Sequence, residues 1–263
     1  MVDQMIFGCL TLSFNQGEYL AEAIDSILSQ NKNIDYLVYD PGSSDISRKV
    51  IQNYNPELVK QCFVNGDEGP ADGLNKGLEM IRCDIFYYLN ADDRVLPGAF
   101  NFVNQYFIDN PDCDILHGSI NLIDQFGKTY RTLPAMKFSL RGYALGYSII
   151  YQQATFIKKN VIPTNAFNVK NKVSWDGELV VDLVLAGASV HQTQTVLGDF
   201  RIYSTSITGS GRLLELAKSE HLRISRKILG RNPHWWEKIL AYMIKKVLAL
   251  NRRTFPNSLP LNC

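Results

Sequence analysis

The sequence predicts an α/β protein: a mixed, mostly parallel sheet flanked by helices, followed by a helical carboxyl-terminal extension. Three observations carry that expectation. Short apolar runs alternate with segments of helical period through the first half. The runs end in polar or acidic residues, where open α/β sheets gather ligand-binding groups. From Arg212 onward the chain turns basic and amphipathic.

The elements follow in order. Ile6–Leu12 reads as a strand, Asn15-Gln16-Gly17 as a turn, and Tyr19–Gln30 as a helix with Leu20, Ile24, Ile27 and Leu28 at helical spacing. Tyr36–Tyr39 is a second strand, ended by Asp40-Pro41-Gly42. Ser43-Ser44-Asp45 caps a helix to about Tyr54. Cys62–Val64 is a third strand, Asn65–Pro70 a loop, and a helix follows to about Ile81. Ile85–Leu89 is the fourth strand, and Pro97 opens a helix to about Phe107. Strands alternating with helices call for a parallel sheet, and right-handed crossovers place every strand's carboxyl end on one edge. Asn15, Asp40, Asp67-Glu68 and Asp92-Asp93 would then meet there.

The pattern changes after Pro111. Asp114–His117, Ile120–Ile123 and Lys128–Leu133 look like strands, with a turn at Asp124–Gly127. Gln152–Ile157 is strand-like, Trp175–Ala186 is helical through Leu179, Leu183 and Ala186, and Val196–Ile202 is a late strand. Phe138–Tyr151 fits neither period. One continuous sheet with an irregular second half is expected. In the tail, Trp236, Leu240, Met243, Val247 and Leu250 form one helical stripe, with Lys238, Lys245 and Arg252 on another face.

Composition narrows the function. The net charge of +1 implies no general affinity for nucleic acid. Residues 212–253 hold eleven Lys/Arg against three Asp/Glu, a local +8 that leaves about −7 for the rest. That asymmetry suggests an anionic partner for the tail, such as a lipid surface. The five cysteines are scattered and form no C-x-x-C pair, so reduced thiols are expected rather than a disulfide framework or zinc site. The four histidines lack metal-ligand spacing. The amino terminus does not read as a signal peptide, and no run approaches the ~20 apolar residues of a membrane span.

The most telling stretch is Asn90-Ala91-Asp92-Asp93, directly after the fourth strand. Adjacent carboxylates there repel unless a cation or donor-rich ligand intervenes, and a hard divalent ion shared with a diphosphate would suffice. A turn with a helix cap is the plainer alternative.

Four segments occur in order: Thr11-Leu12-Ser13-Phe14-Asn15, Asp40-Pro41-Gly42-Ser43-Ser44-Asp45, Asp67-x-Gly69-x-x-Asp72-x-x-Asn75-Lys76-Gly77, and Asn90-Ala91-Asp92-Asp93. Together they resemble the family 2 glycosyltransferases of the GT-A fold, in particular bacterial enzymes of O-antigen, capsule and colanic acid assembly. The resemblance implies a Rossmann-like sheet, a nucleotide-diphosphate sugar donor, Mn²⁺ or Mg²⁺, and inverting transfer to a glycan or polyprenyl-linked acceptor. It implies a transferase domain over residues 1–211, with a nucleotide-sugar half to about 110 and an acceptor half from 111. A basic amphipathic tail spans 212–263. The setting would be cytoplasmic, peripheral on the inner face of the membrane.

By the same resemblance, Asp93 matches the metal-ligating acid and Asp92 its neighbour on the ribose or the metal. Asp40 matches an acid at the nucleotide end. Pro41 stands where relatives often carry a second acid, leaving the base unspecified. Ser13, Asn15, Asp72 and Asn75 contact the donor or hold its loops. Asp176, in Trp175-Asp176-Gly177-Glu178, matches the catalytic base, with Glu178 as rival; a helix-start carboxylate is the plainer reading. Gln152 and Gln153 match the acceptor side. Arg201-Ile202-Tyr203 stands where relatives often have Arg-x-His, so Arg201 either offsets phosphate charge or forms a structural ion pair. A nucleotidyltransferase and a non-catalytic nucleotide-sugar-binding scaffold are the alternatives. The first would usually need a basic Gly-rich loop near the amino terminus, and residues 13–17 contain no Lys or Arg.

Overall fold

The computed structural model describes residues 5–30 and 33–251. The first half is built from β1 (Phe7–Leu12), α1 (Leu20–Leu28), β2 (Ile34–Asp40), α2 (Ser47–Gln52), β3 (Lys60–Phe63), α3 (Pro70–Met80) and β4 (Ile85–Asn90). The two-residue strand β5 (Arg94–Val95) and α4 (Ala99–Asp109) complete it. The second half contains β6 (Ile115–Ile123), β7 (Thr129–Leu133), α5 (Leu140–Ala144), β8 (Thr155–Lys158), α6 (Trp175–Leu185) and β9 (Val190–Arg201). Three helices close the chain: α7 (Ile207–Ser210), α8 (Leu214–Leu229) and α9 (Trp235–Asn251).

Among the described residues one nine-stranded sheet runs β3-β2-β1-β4-β8-β6-β9-β5, with β7 beside β6. β1 pairs parallel with both β2 and β4, and β2 with β3, as the alternating pattern predicts. β8 joins the halves by antiparallel pairing with β4 and β6. Side chains at i, i+3, i+4 and i+7 of α1 (Leu20, Ala23, Ile24, Ile27) are all buried, which is why that segment is a helix lying on the sheet. α3 approaches closely because Gly77 has no side chain: a Cβ there would come 2.6 Å from Leu10. An aromatic cluster locks α4 to the sheet, with Phe7 stacked on Phe100 at 4.5 Å and Tyr87 on Phe156 at 4.6 Å.

Several expectations change. The strands expected at 114–117 and 120–123 are one strand, β6, and the late strand begins at Val190 rather than Val196. Gln152–Ala154 is a 3-10 turn, so the strand expected from 152 starts at Thr155. Part of the unassigned 138–151 stretch is α5, capped by the Ser139 hydroxyl accepting from Gly142 N–H.

Within the segment expected as a tail from 212, α8 packs on α5. α8 buries Ile224 and Ser225, and the Ser225 hydroxyl donates to the Ala144 carbonyl. Cys9, Cys62, Cys83 and Cys113 are free thiols; Cys263 and Arg252 lie outside the described residues, as do the side chains of Val247 and Leu250.

Phe156→Ala should remove the ring on which Tyr87, Phe100 and Phe7 converge and cost about 3–5 kcal/mol. Urea unfolding measures this, and a loss under about 1 kcal/mol would show that the cluster is not a stability centre.

Candidate active site

Register fixes the site before any side chain is considered. Leu12 pairs with Tyr39 on one side and Asn90 on the other. Ser13, Asp40 and Ala91 therefore leave the sheet at one level, with β2 and β4 two strand spacings, about 10 Å, apart.

Over the β1–β2 end lies a cavity of about 490 Å³ lined by Leu12, Ser13, Phe14, Pro41 and Gly66–Pro70. That is the size of a small-molecule site. Two buried polar atoms at this end, Ser13 Oγ and Asp40 Oδ2, have no partner among the described residues. Asp40 Oδ1 accepts from Gly42 N–H (3.0 Å), Ser43 N–H (2.8 Å) and Arg48 Nε (3.0 Å). Burial alone would raise the Asp40 pKa, but the hydrogen bonds from Ser43, Gly42 and Arg48 outweigh it and hold the carboxyl below its ordinary value. Asp67 and Glu68, expected on this edge and placed in the third motif, line the cavity. Burial raises the Asp67 pKa.

The acid pair at the end of β4 splits into two roles. Asp93 is 1% exposed. Its Oδ1 accepts from Arg201 N–H (2.9 Å), and its Oδ2 from Gln153 Nε2 (2.8 Å) and Asn90 Nδ2 (3.3 Å). Asp92 is half-buried, and its Oδ2 accepts from the Tyr203 hydroxyl at 3.2 Å. Burial, then the neighbouring Asp92 charge, pushes the Asp93 pKa well above the carboxylate range; burial also raises Asp92. Asp93, expected as the foremost metal ligand, thus has both oxygens engaged inside the protein, while Asp92 is the more accessible carboxylate.

β9 reaches this pair because Gly198 lets it pass the Gln152–Ala154 turn; a Cβ there would come 2.4 Å from the Gln153 carbonyl oxygen. Gln152 Nε2 donates to the Tyr88 carbonyl and its Oε1 accepts from Asn90. Both glutamines therefore brace the acid loop. The Arg201 guanidinium is buried and occupied by Glu22 (2.6 Å), the Asp92 carbonyl (2.8 Å) and the Asp124 and Gln125 carbonyls, and it lies over the Tyr19 ring. Of its two readings, the structural ion pair is the one present.

Other expected donor contacts turn inward. Asn75 Nδ2 donates to the Phe167 carbonyl and its Oδ1 accepts from Phe167 N–H. Asn15 Oδ1 accepts from Ser44 and Asp45 N–H, joining the first two loops. Asp72 accepts from Lys76 and from Glu68 N–H at the cavity rim.

Asp176 and Glu178 face different ways. Asp176 lines a hollow of about 20 Å³ with Tyr88, Gln152 and Thr155, separate from the larger cavity but adjoining the end of β4. Burial raises its pKa. The Tyr88 hydroxyl beside it is buried without a partner among the described residues. Glu178 is enclosed by Arg223, Asn168 and Asn171.

The comparisons with known proteins agree with this architecture. The chain resembles S. aureus TarS, solved in complex with UDP-GlcNAc, with a TM-score of 0.69 at 14% identity over 95% of this chain and 73% of that one. It also resembles the mannosyltransferase PcManGT from Pyrobaculum calidifontis, solved with GDP-Man and Mn²⁺, at 12% identity and a TM-score of 0.65, over 98% of this chain and 78% of that one. The fold is therefore of the GT-A-like glycosyltransferase class. The model of glycosyl transferase family 2 matches residues 9–172, and the chain belongs to that family.

An uncharacterized glycosyltransferase of Rickettsia felis is 28% identical over 210 residues, 73% of this chain and 33% of that protein. A GalNAc(5)-diNAcBac-PP-undecaprenol beta-1,3-glucosyltransferase of Campylobacter jejuni is 32% identical over 97 residues, 35% of this chain and 31% of that one. The chain spans about a third to a half of the curated relatives it matches.

Proposed function

We propose that the chain transfers a sugar, with inversion, from a nucleotide-diphosphate donor to a glycan or polyprenyl-linked glycan in bacterial surface polysaccharide synthesis. The observation that carries this reading is the level of the sheet edge: a cavity at β1–β2 and a carboxylate pair at β4, with Asp176 lining a hollow against Tyr88 of the same strand. Family membership and the nucleotide sugars bound by TarS and PcManGT support the donor class. The undecaprenol-linked acceptor named for the Campylobacter relative supports the acceptor class.

The donor set fits a hard divalent ion. No group of three His, Cys, Asp or Glu that could hold a metal occurs among the described residues. The two oxygen ligands on offer are a repelling pair that a cation would relieve, and Mg²⁺ or Mn²⁺ takes its remaining positions from phosphate and water. Asp92 would hold the ion directly, with Asp93 beneath it. Bound there, the metal supplies charge stabilisation to the departing diphosphate.

The residues of the chain do the rest. Ser13 and Asp40, with their unpartnered oxygens, accept from the nucleoside. Asp176 takes the proton of the acceptor hydroxyl as that oxygen bonds to the anomeric carbon. The carbon's bond to the diphosphate breaks on the opposite face, and its electron pair leaves with the nucleoside diphosphate.

The partner at α9 is an anionic membrane surface on the cytoplasmic side. Trp235, Trp236, Ile239, Leu240, Tyr242 and Met243 are all exposed on α9, with Lys238 and Lys245 along one edge. A helix exposing a broad apolar face beside lysines suits an interfacial position. No helix among the described residues is long and apolar enough to cross a membrane.

Asp92→Asn should abolish metal-dependent donor binding in calorimetry. Asp176→Asn should leave binding intact and stop turnover, and the parent's rate should fall with acid at a pH above the ordinary Asp value of about 3.9. Donor binding without metal dependence, or turnover by the Asp176 variant, would refute the respective role. Trp236→Glu with Ile239→Glu should weaken sedimentation with anionic liposomes; unchanged sedimentation would mean that the face binds protein instead.

A further inference from the structure

Glu178 lies two residues after the proposed base, so on α6 it points away from Asp176. It is 1% exposed. Arg223 grips both of its oxygens, with Nη1 at 2.7 Å from Oε1. Asn171 and Asn168 donate to Oε2 at 2.9 and 3.1 Å, and Lys227 approaches Oε1 at 3.4 Å. Lys227 also pairs with Asp182 on the next turn of α6, and Arg223 with Glu220 on its own helix. Three acids and two bases thus join α6 to α8.

The start of α6 is fixed from two more sides. Asn171 Oδ1 accepts from Val173 and Ser174 N–H, taking up backbone donors just before the helix. Gly177 packs against the Tyr143 hydroxyl so closely that a Cβ would come 2.2 Å from it. Rotation of the first turn about the helix axis is therefore set by Glu178 on one face and Tyr143 on another. The face left over carries Asp176 into the hollow beside Tyr88 and Gln152.

We infer that Arg223, acting through Glu178, is a positioning residue for Asp176, and that α8 is a working part of the acceptor half. The inference rests on Asp176 being the base. Both α6 and α8 lie beyond residue 172, where the family match ends. A bidentate guanidinium–carboxylate pair suits the task because it fixes orientation as well as distance.

The test uses the full chain and the donor giving the largest thermal shift in a panel of UDP-, GDP- and dTDP-sugars. Turnover is read as nucleoside diphosphate release with water as acceptor. Arg223→Met should leave donor affinity unchanged and lower kcat by about 100-fold, the low end of what a positioned base supplies. Amide exchange should quicken at residues 174–180 and not in the strands of the donor half. Arg223→Lys should recover part of the rate. If Arg223→Met fails to fold, Glu178→Gln/Arg223→Met removes the unpaired buried charge and should show the same split.

A variant with parental kcat and unchanged exchange at 174–180 overturns the inference. So does one losing donor affinity, kcat and protection throughout, because that is general destabilisation. Asp176→Asn is measured alongside: if it turns over, the base assignment has failed; if it is inactive while Arg223→Met keeps full rate, only the clamp has failed.

Discussion

Two neighbouring carboxylates at the end of a buried strand are an electrostatic problem, and much of the surrounding structure is the solution. Neither water nor a positive side chain reaches Asp93 in quantity. Its charge is met instead by neutral donors: a backbone N–H from β9, an amide from the 152–154 turn and an amide from β4 itself. Those donors come from residues 90, 153 and 201, so satisfying one side chain forces three distant segments together. Asp92 faces outward, its charge eased by the Tyr203 phenol and the nearby Arg201 guanidinium. In the proposed function, this is the charge that a cation and its anionic cargo would meet.

The second half of the chain serves that end. β9 delivers the Arg201 N–H to Asp93 and its guanidinium to Glu22, 179 residues earlier in the chain. β8 and its preceding turn deliver the glutamines. The basic carboxyl-terminal segment spends Arg223 and Lys227 on α6 acids and Arg231 on its own buried Glu237, which Arg141 of α5 also reaches. Part of the charge asymmetry is therefore internal pairing across the fold.

The donor half was legible because its signals are local. A run such as Ile85–Leu89 declares a strand, and parallel order follows from alternation with helices, so the common level of Asp40 and Asp92 could be read without coordinates. The acceptor half was less legible because its contacts are long-range. Nothing near Gln153 announces Asp93, and nothing near Arg223 announces Glu178. Glu178 was the rival of Asp176 in sequence, and the partners of the two differ: Arg223, Asn168 and Asn171 enclose Glu178, while Asp176 lines a hollow. β5 is too short to carry a period, and α5 is only five residues, with too few turns to show one. Asn75 and Arg201, both expected at the donor, have hydrogen bonds to the protein itself.

The most direct test is a crystal structure with a non-hydrolysable nucleotide-sugar analogue and Mn²⁺, read by anomalous scattering. The account predicts one manganese peak between Asp92 and the diphosphate, the nucleoside over Ser13 and Pro41, and the anomeric carbon open towards Asp176. Manganese away from Asp92, or a sugar held on the far side of the sheet edge from Asp176, would contradict it.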